Sequence, residues 1–415
     1  MSQSDWTRLS LHIAAMLFMA VAMGQIFRRM GLPALAGEIL GGILLGPSLL
    51  GRVSPDLYQY LFPPSGPIHG ARTAIMRTGM LSFIVTIGLG ISLSEFKRVS
   101  RKAISVGVIG TFVPLFIGIA VAYVFPSALG LSPSNQLGLA LFVGAILSLS
   151  ANPIIARILM DLDLFDKEIG RVIMSATLVD DLVGFGVFAV VLAEFGPGAK
   201  GDGSGLWLLP MVLGYVATVL VLGKWLFPRM LRWIRANFPQ PSGAVGFIMI
   251  VTLVCAAGSE ALGLHSFLGA FIAGIAFAEV YEEFREPFDL IGGFSLAYVT
   301  PVFFLSMGIN ADFWTGFNLA MVLVVTIAAF FGKIVAVYAG GKLAGMSNRE
   351  ALAVGCGLNA RGILGMVMAA VAFERQLIGQ ELYVACVLMC LLTTMAAGPA
   401  LQYLIKLDPK IANAT

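Results

Sequence analysis

The sequence predicts an all-α polytopic membrane protein of thirteen membrane-crossing helices, arranged as two inverted six-helix repeats joined by a linker helix. Three observations predict it. Of 415 residues, 58% are hydrophobic and only 12% charged, against about 25% charged in a soluble domain, so most of the surface cannot face water. Apolar runs long enough to cross ~30 Å of hydrocarbon recur along the whole chain. The two halves also share a weak internal pattern, at an offset of seven helices. A soluble globular enzyme is excluded.

The first span, near 9–28, follows Asp5 and lacks a small-residue cleavage site, so it reads as a retained helix rather than a signal peptide. A second lies near 33–50. The connection from Gly51 to Arg77 is punctuated by proline and glycine and reads as an ordered surface loop or short interfacial helix. Spans 3 and 4 fall near 78–95 and 103–125. Span 5, 136–159, is interrupted by SLSANP, and span 6, 169–194, carries two adjacent aspartates. Span 7, 206–231, is the linker. Spans 8 to 11 follow near 243–260, 264–281, 288–309 and 314–343. Span 12, 350–373, is interrupted by GCGLNARG, and span 13 ends near 406.

Lysine and arginine in alternate connections divide 15 to 6, which puts the N-terminus outside and the C-terminus in the cytoplasm. A net charge of +3 without a basic stripe excludes nucleic acid as a partner. The four cysteines lie in apolar stretches and read as small buried hydrophobes. LPALAGEILGGI from Leu32 aligns with LHSFLGAFIAGI from Leu264, with identities at Leu32/Leu264, Gly37/Gly269, Gly42/Gly274 and Ile43/Ile275. An odd helix offset inverts the second copy, which is the transporter plan with a site at the repeat interface.

Ionisable groups at membrane depth are expensive, and few are present. Asp180 and Asp181 stand in the middle of span 6. Neighbours on a helix project ~100° apart, so each acid faces its own partner and the two cannot share a proton as an intramembrane aspartyl protease requires. Lys333, deep in span 11, needs a carboxylate, and either aspartate would serve. Ser148, Ser150, Asn152 and Pro153 in span 5 offer neutral oxygens and a freed carbonyl, the ligand set of a partly dehydrated monovalent cation. Asn359 and Arg361, among glycines in span 12, form the matching element, with Arg361 offsetting helix C-terminal charge. Glu38 reads as a packing residue, Glu260 and His265 as solvated caps, and Arg157 and Arg171 as positive-inside charges.

GEILGGILLGPSLLG around Glu38, LGLHSFLGAFIAG around His265, PVFFLSMGI around Phe303, the embedded VDD, the span 11 GK and the NARG of span 12 together resemble the monovalent cation:proton antiporters. Within them it resembles specifically the bacterial sodium/proton exchanger type with paired aspartates. The resemblance covers nearly the whole chain. It implies a homodimer, with 1–95 and 236–310 as dimer-domain helices, 96–194 and 311–415 as the ion-translocating core, and 195–235 as the linker. It also implies that spans 5 and 12 are broken and crossed, that Asp181 carries cation or proton, and that Asp180 pairs with Lys333. The cation ligands would be Asp181, Asp180, Asn152 and Ser150, with Asn359, Arg361 and Pro153 supporting. The implied activity is electrogenic exchange of sodium or lithium for protons by alternating access in a bacterial inner membrane, with no cofactor. A potassium/proton antiporter of the same fold, or a channel or ion-sensing membrane protein without proton coupling, are the rival readings.

Overall fold

The computed structural model describes residues 3–30, 32, 34–63, 65–90, 101–126, 129, 136–165, 167–195, 208–262 and 266–408. Among these residues the chain is helical without strands. Among the described residues seven helical stretches are long and apolar enough to cross a membrane, and shorter apolar helices include Gln136–Ser148 and Ser266–Ala278. This is a multi-pass membrane protein. The count of thirteen is not fixed by these lengths, because several expected spans are divided. The described residues pack as two compact units, one formed by 1–95 and 207–314 and the other by 96–206 and 315–415.

In the first unit α1 is Gln3–Arg29, α2 Ala34–Leu45, α3 Leu50–Val53, α4 Pro55–Leu61 and α5 Pro67–Leu89. The expected loop is therefore two short helices, and α5 begins about three turns before the expected residue 78. Pro67 occupies the first turn, where a missing N–H costs nothing. Arg72 stays on the helix by reaching back one turn to His69 Nδ1, 2.9 Å away. The linker also differs from expectation: α10, Leu208–Trp225, ends before Pro228, and a separate amphipathic helix α11 covers Phe227–Asn237. Residues 196–207, part of the expected linker, lie outside the described residues. Then come α12 Ser242–Ala261, α13 Ser266–Ala278, α14 Arg285–Phe294 and α15 Thr300–Asn310. A single π-helical turn at Ser295–Val299 joins the last two, where Ser82 and Ser295 hydroxyls meet at 2.8 Å.

The internal repeat has a packing meaning in this unit. A Cβ on Gly37 would strike the Met23 carbonyl of α1, and one on Gly269 the Cys255 carbonyl of α12. Likewise Gly42 lies against the Leu305 carbonyl of α15, with Gly308 returning the contact at Ile39. Its counterpart Gly274 lies against the Val85 carbonyl of α5, with Gly88 returning it at Phe271. Each repeat thus sends its second helix against the third helix of the other copy. Small residues are kept there because lipid supplies no hydrophobic drive and close backbone approach must supply the dispersion energy.

The second unit contains α6 Arg101–Val124, α7 Gln136–Ser148, α8 Asn152–Asp161, α9 Glu168–Phe195, α16 Leu319–Leu343, α17 Asn348–Gly357, α18 Gly362–Glu374 and α19 Gln380–Leu407. Three of its helices are tied at their first turns by Lys102 of α6, whose ammonium lies 2.7 Å from Glu168 of α9 and 3.4 Å from Glu350 of α17. Glu350 also completes a capping box with Ser347.

Candidate functional site

Both expected interruptions exist. α7 stops at Ser148, and α8 starts at Asn152 with proline in its first turn, since Pro153 supplies no N–H to the turn before it. α17 stops at Gly357, and α18 starts at Gly362, which holds φ +26. The two breaks touch: Ala151 N donates to the Ala360 carbonyl at 2.7 Å.

An α-helix leaves its last four carbonyls without intrahelical donors. For α7 every one is met by a side chain. Ser148 Oγ turns back to Ala145 at 2.7 Å, Arg361 donates to Ile146 at 3.2 Å and to Leu147, and Lys333 Nζ donates to Ser148 at 2.8 Å. Arg361 also reaches Leu149 at 3.2 Å and Ala329 at 2.7 Å. Two fully buried cations, from α16 and from the opposing break, therefore sit on the negative end of one half-helix.

Asp180, on α9, lies at the same place. Its Oδ2 accepts from Lys333 Nζ at 2.7 Å and from Ser150 Oγ at 2.6 Å, and its Oδ1 accepts from Thr111 Oγ1 of α6 at 2.5 Å. Lysine and aspartate are both essentially inaccessible to solvent, so the pair needs these extra donors to offset its desolvation. Ser150 has one proton and two acceptors, because the Leu358 carbonyl lies 2.7 Å from the same hydroxyl. Its hydroxyl therefore links the ion pair to the break between α17 and α18.

Asn152 opens α8 and accepts from Thr177 on α9, one turn before the aspartates. Asn359 is buried; its amide donates to Phe330 at 3.4 Å, and its Oδ1 has no hydrogen-bond partner among the described residues. Asp181 follows Asp180 on α9, and its side chain, like that of Pro153, lies outside the described residues. Thr111 and Thr177 were not singled out from the sequence. A hydroxyl in an apolar helix normally bonds its own backbone, and Thr111 has the Gly107 carbonyl at 2.6 Å as well as Asp180 for its one proton; nothing local marks that second acceptor. Among the described residues no group of three histidine, cysteine, aspartate or glutamate side chains gathers. The oxygens gathered here are those of hydroxyls, amides and backbone beside an aspartate, a donor set for a hard ion.

Away from this site, Glu38 is buried in α2 against α1, near Gly24. Glu260 Oε2 accepts from the Ser266 amide at the start of α13, and His265 lies outside the described residues.

Residues 13–407 match the family model described as sodium/hydrogen exchanger, transmembrane. The chain is 29% identical to a sodium/proton antiporter of Enterococcus hirae, covering 95% of this chain and 97% of that protein. It is 25% identical to a protein of Bacillus cereus named a sodium/proton-potassium antiporter, over 97% of this chain and 98% of that one. With cation/proton antiporter 19 of Arabidopsis thaliana it shares 28% identity over 90% of its length. The chain spans about half the length of that and other plant relatives. Among solved structures, a sodium/proton antiporter of Methanocaldococcus jannaschii superposes with a TM-score of 0.70 over 99% of both chains, at 16% identity. At that identity the likeness concerns the fold.

Proposed function

Since the chain belongs to the sodium/hydrogen exchanger family, we propose that it exchanges a monovalent cation, sodium with lithium, for protons by alternating access. The single observation that carries the reading is the engagement of Asp180. Three donors, one of them a buried ammonium, surround its two oxygens, so it is already paired with Lys333 in this state, leaving the adjacent Asp181 to alternate between cation and proton. Ionised, Asp181 holds the cation with help from Asn152, Ser150 and backbone carbonyls. Protonated, it is neutral. The loaded protein crosses in either form, whereas an empty charged site crosses poorly, and this competition is sufficient for antiport.

Residues 1–95 and 236–310 are assigned the dimer-forming part, 195–235 the linker, and 96–194 with 311–415, which hold both helix breaks, the moving core. Release of a second proton through the Asp180–Lys333 pair makes the exchange electrogenic, with a net charge worth ~2.3 kcal/mol per 100 mV. Relatives named for sodium and for sodium with potassium both support cation exchange. The assigned setting is a bacterial inner membrane, with the N-terminus outside and the C-terminus in the cytoplasm. Asp181→Asn in proteoliposomes carrying a pH dye tests the carrier: sodium-driven proton movement should vanish while the protein elutes as wild type. Movement at the wild-type rate would refute the assignment.

A further inference from the structure

The junction of α10 and α11 carries charge and aromatic surface that ion exchange does not use. Leu226, between the two helices, keeps an αR backbone, so Trp225, Arg229 and Trp233, spaced four residues apart, fall on one side of the junction. Trp225 is 67% and Trp233 53% exposed. The other two faces of α11 are occupied. Phe227, Leu231 and Ile234 are buried, with Phe227 against Phe277 at 4.8 Å between centroids. Arg232 holds the Glu283 carboxylate with both Nε and Nη2, and Arg235 adds a contact at 3.1 Å.

Arg229 differs from those two arginines. Its guanidinium lies 4.6 Å over the Trp225 ring and donates to the Trp225 carbonyl at 2.5 Å. It makes no ion pair among the described residues. One turn earlier on α10, Val221 and Leu222 are exposed apolar residues, as expected of a surface that faces acyl chains. The tryptophan–arginine–tryptophan face therefore begins where hydrocarbon gives way to headgroups, the level at which tryptophan concentrates and an unneutralised cation finds phosphate. Lys224, also exposed, adds a second positive charge beside it.

We propose that this face docks the headgroup of an anionic phospholipid, with Arg229 taking the phosphate and the two indoles bracketing it at the interface. The assignment is independent of the transport reading. Phospholipid is favoured over a protein partner because the face continues the lipid-facing side of α10, and because its charge complements an anionic leaflet.

The test uses the full chain in detergent, titrated with phosphatidylglycerol or phosphatidylcholine and followed by native mass spectrometry. Wild type should bind phosphatidylglycerol more tightly. Arg229→Gln should weaken that binding about fivefold, the factor expected for one interfacial cation, and weaken phosphatidylcholine binding less, because its own choline already neutralises the phosphate. Arg232→Gln, whose charge is held by Glu283, should keep the preference, and Trp225→Leu with Trp233→Leu should weaken both lipids. Elution of every variant as wild type controls for folding. An undiminished preference in Arg229→Gln, or inorganic phosphate competing as well as the lipid, would overturn the proposal.

Discussion

Lys333 Nζ lies 2.7 Å from Asp180 and 2.8 Å from the Ser148 carbonyl, so one ammonium neutralises a carboxylate and closes the end of a broken helix together. Removing it strands both. Lys333→Gln should lower stability by about 3–5 kcal/mol, the range for a buried pair that loses one partner. Asp180→Asn in that background should recover part of the loss. Thermal unfolding of the four proteins closes the cycle, and simple additivity would show that the two residues are not energetically coupled.

Thr111 supplies the donor to Asp180 Oδ1. Thr111→Val keeps the shape and removes the hydroxyl, so it should cost roughly 1–3 kcal/mol, the penalty for an unsatisfied buried acceptor. Thr111→Ser should restore most of it. Equal melting temperatures for the valine and serine variants would contradict the bond's contribution.

The two terminal nitrogens of Arg361 lie within hydrogen-bonding reach of four backbone carbonyls, Ile146 and Leu147 on α7, Leu149 in the break after it and Ala329 on α16, so some of these bonds are shared. Arg361→Lys keeps the charge but not the fork of donors, and should destabilise by about 2–4 kcal/mol, because several acceptors lose hydrogen bonds at once. Hydrogen exchange should accelerate in α7 before α19 responds. Uniform acceleration over the whole second unit would speak for a general loss of packing.

The glycine crossings give a paired prediction. Gly42→Ala and Gly274→Ala each drive a methyl into a carbonyl, so each should cost at least the ~1–3 kcal/mol of ordinary overpacking. Gly246→Ala, with nothing within 4 Å of the added methyl, should stabilise slightly through helix propensity. Chemical unfolding in mixed micelles ranks the three. A neutral Gly274→Ala would remove the equivalence of the repeats.

Ion choice is tested by following protons while sodium, lithium or potassium is varied at a clamped potential. Sodium and lithium should drive movement and potassium should not, and the equilibrium should shift with voltage. A response to potassium alone would favour the rival exchanger reading. An equilibrium blind to voltage would remove the electrogenic half of the proposal.

The helical architecture was legible because a bilayer forces long apolar runs to satisfy their own backbones. The breaks in spans 5 and 12 were legible for a different reason: Pro153 and the glycines around Asn359 are poor helix residues at depths where nothing else excuses them. Helix ends were less so. Apolar residues resume past Trp225 on both sides of Pro228 and Arg229 as far as Leu231, so the span reads as continuing, whereas Pro228 opens a new helix whose Phe227, Leu231 and Ile234 are buried. At the site, Lys333 demanded an acid, but the sequence left two aspartates open for it. Thr111 was invisible, since its acceptor lies 69 residues away along the chain.

The interlocked glycines also set a schedule for synthesis. Ser48, just past α2, bonds the carbonyl of Ala311, 263 residues later, and Gly42 of α2 waits equally long for α15. At about 5–20 residues per second, the first helices stand in the membrane for on the order of 10–50 s before their partner emerges. For that interval a notched, small-residue groove lies open to lipid and to any neighbouring nascent helix. Insertion machinery that shelters early helices until late ones arrive would thus be a condition of this chain folding at all, and truncation before Thr300 should yield a product that is inserted but cleared by quality control.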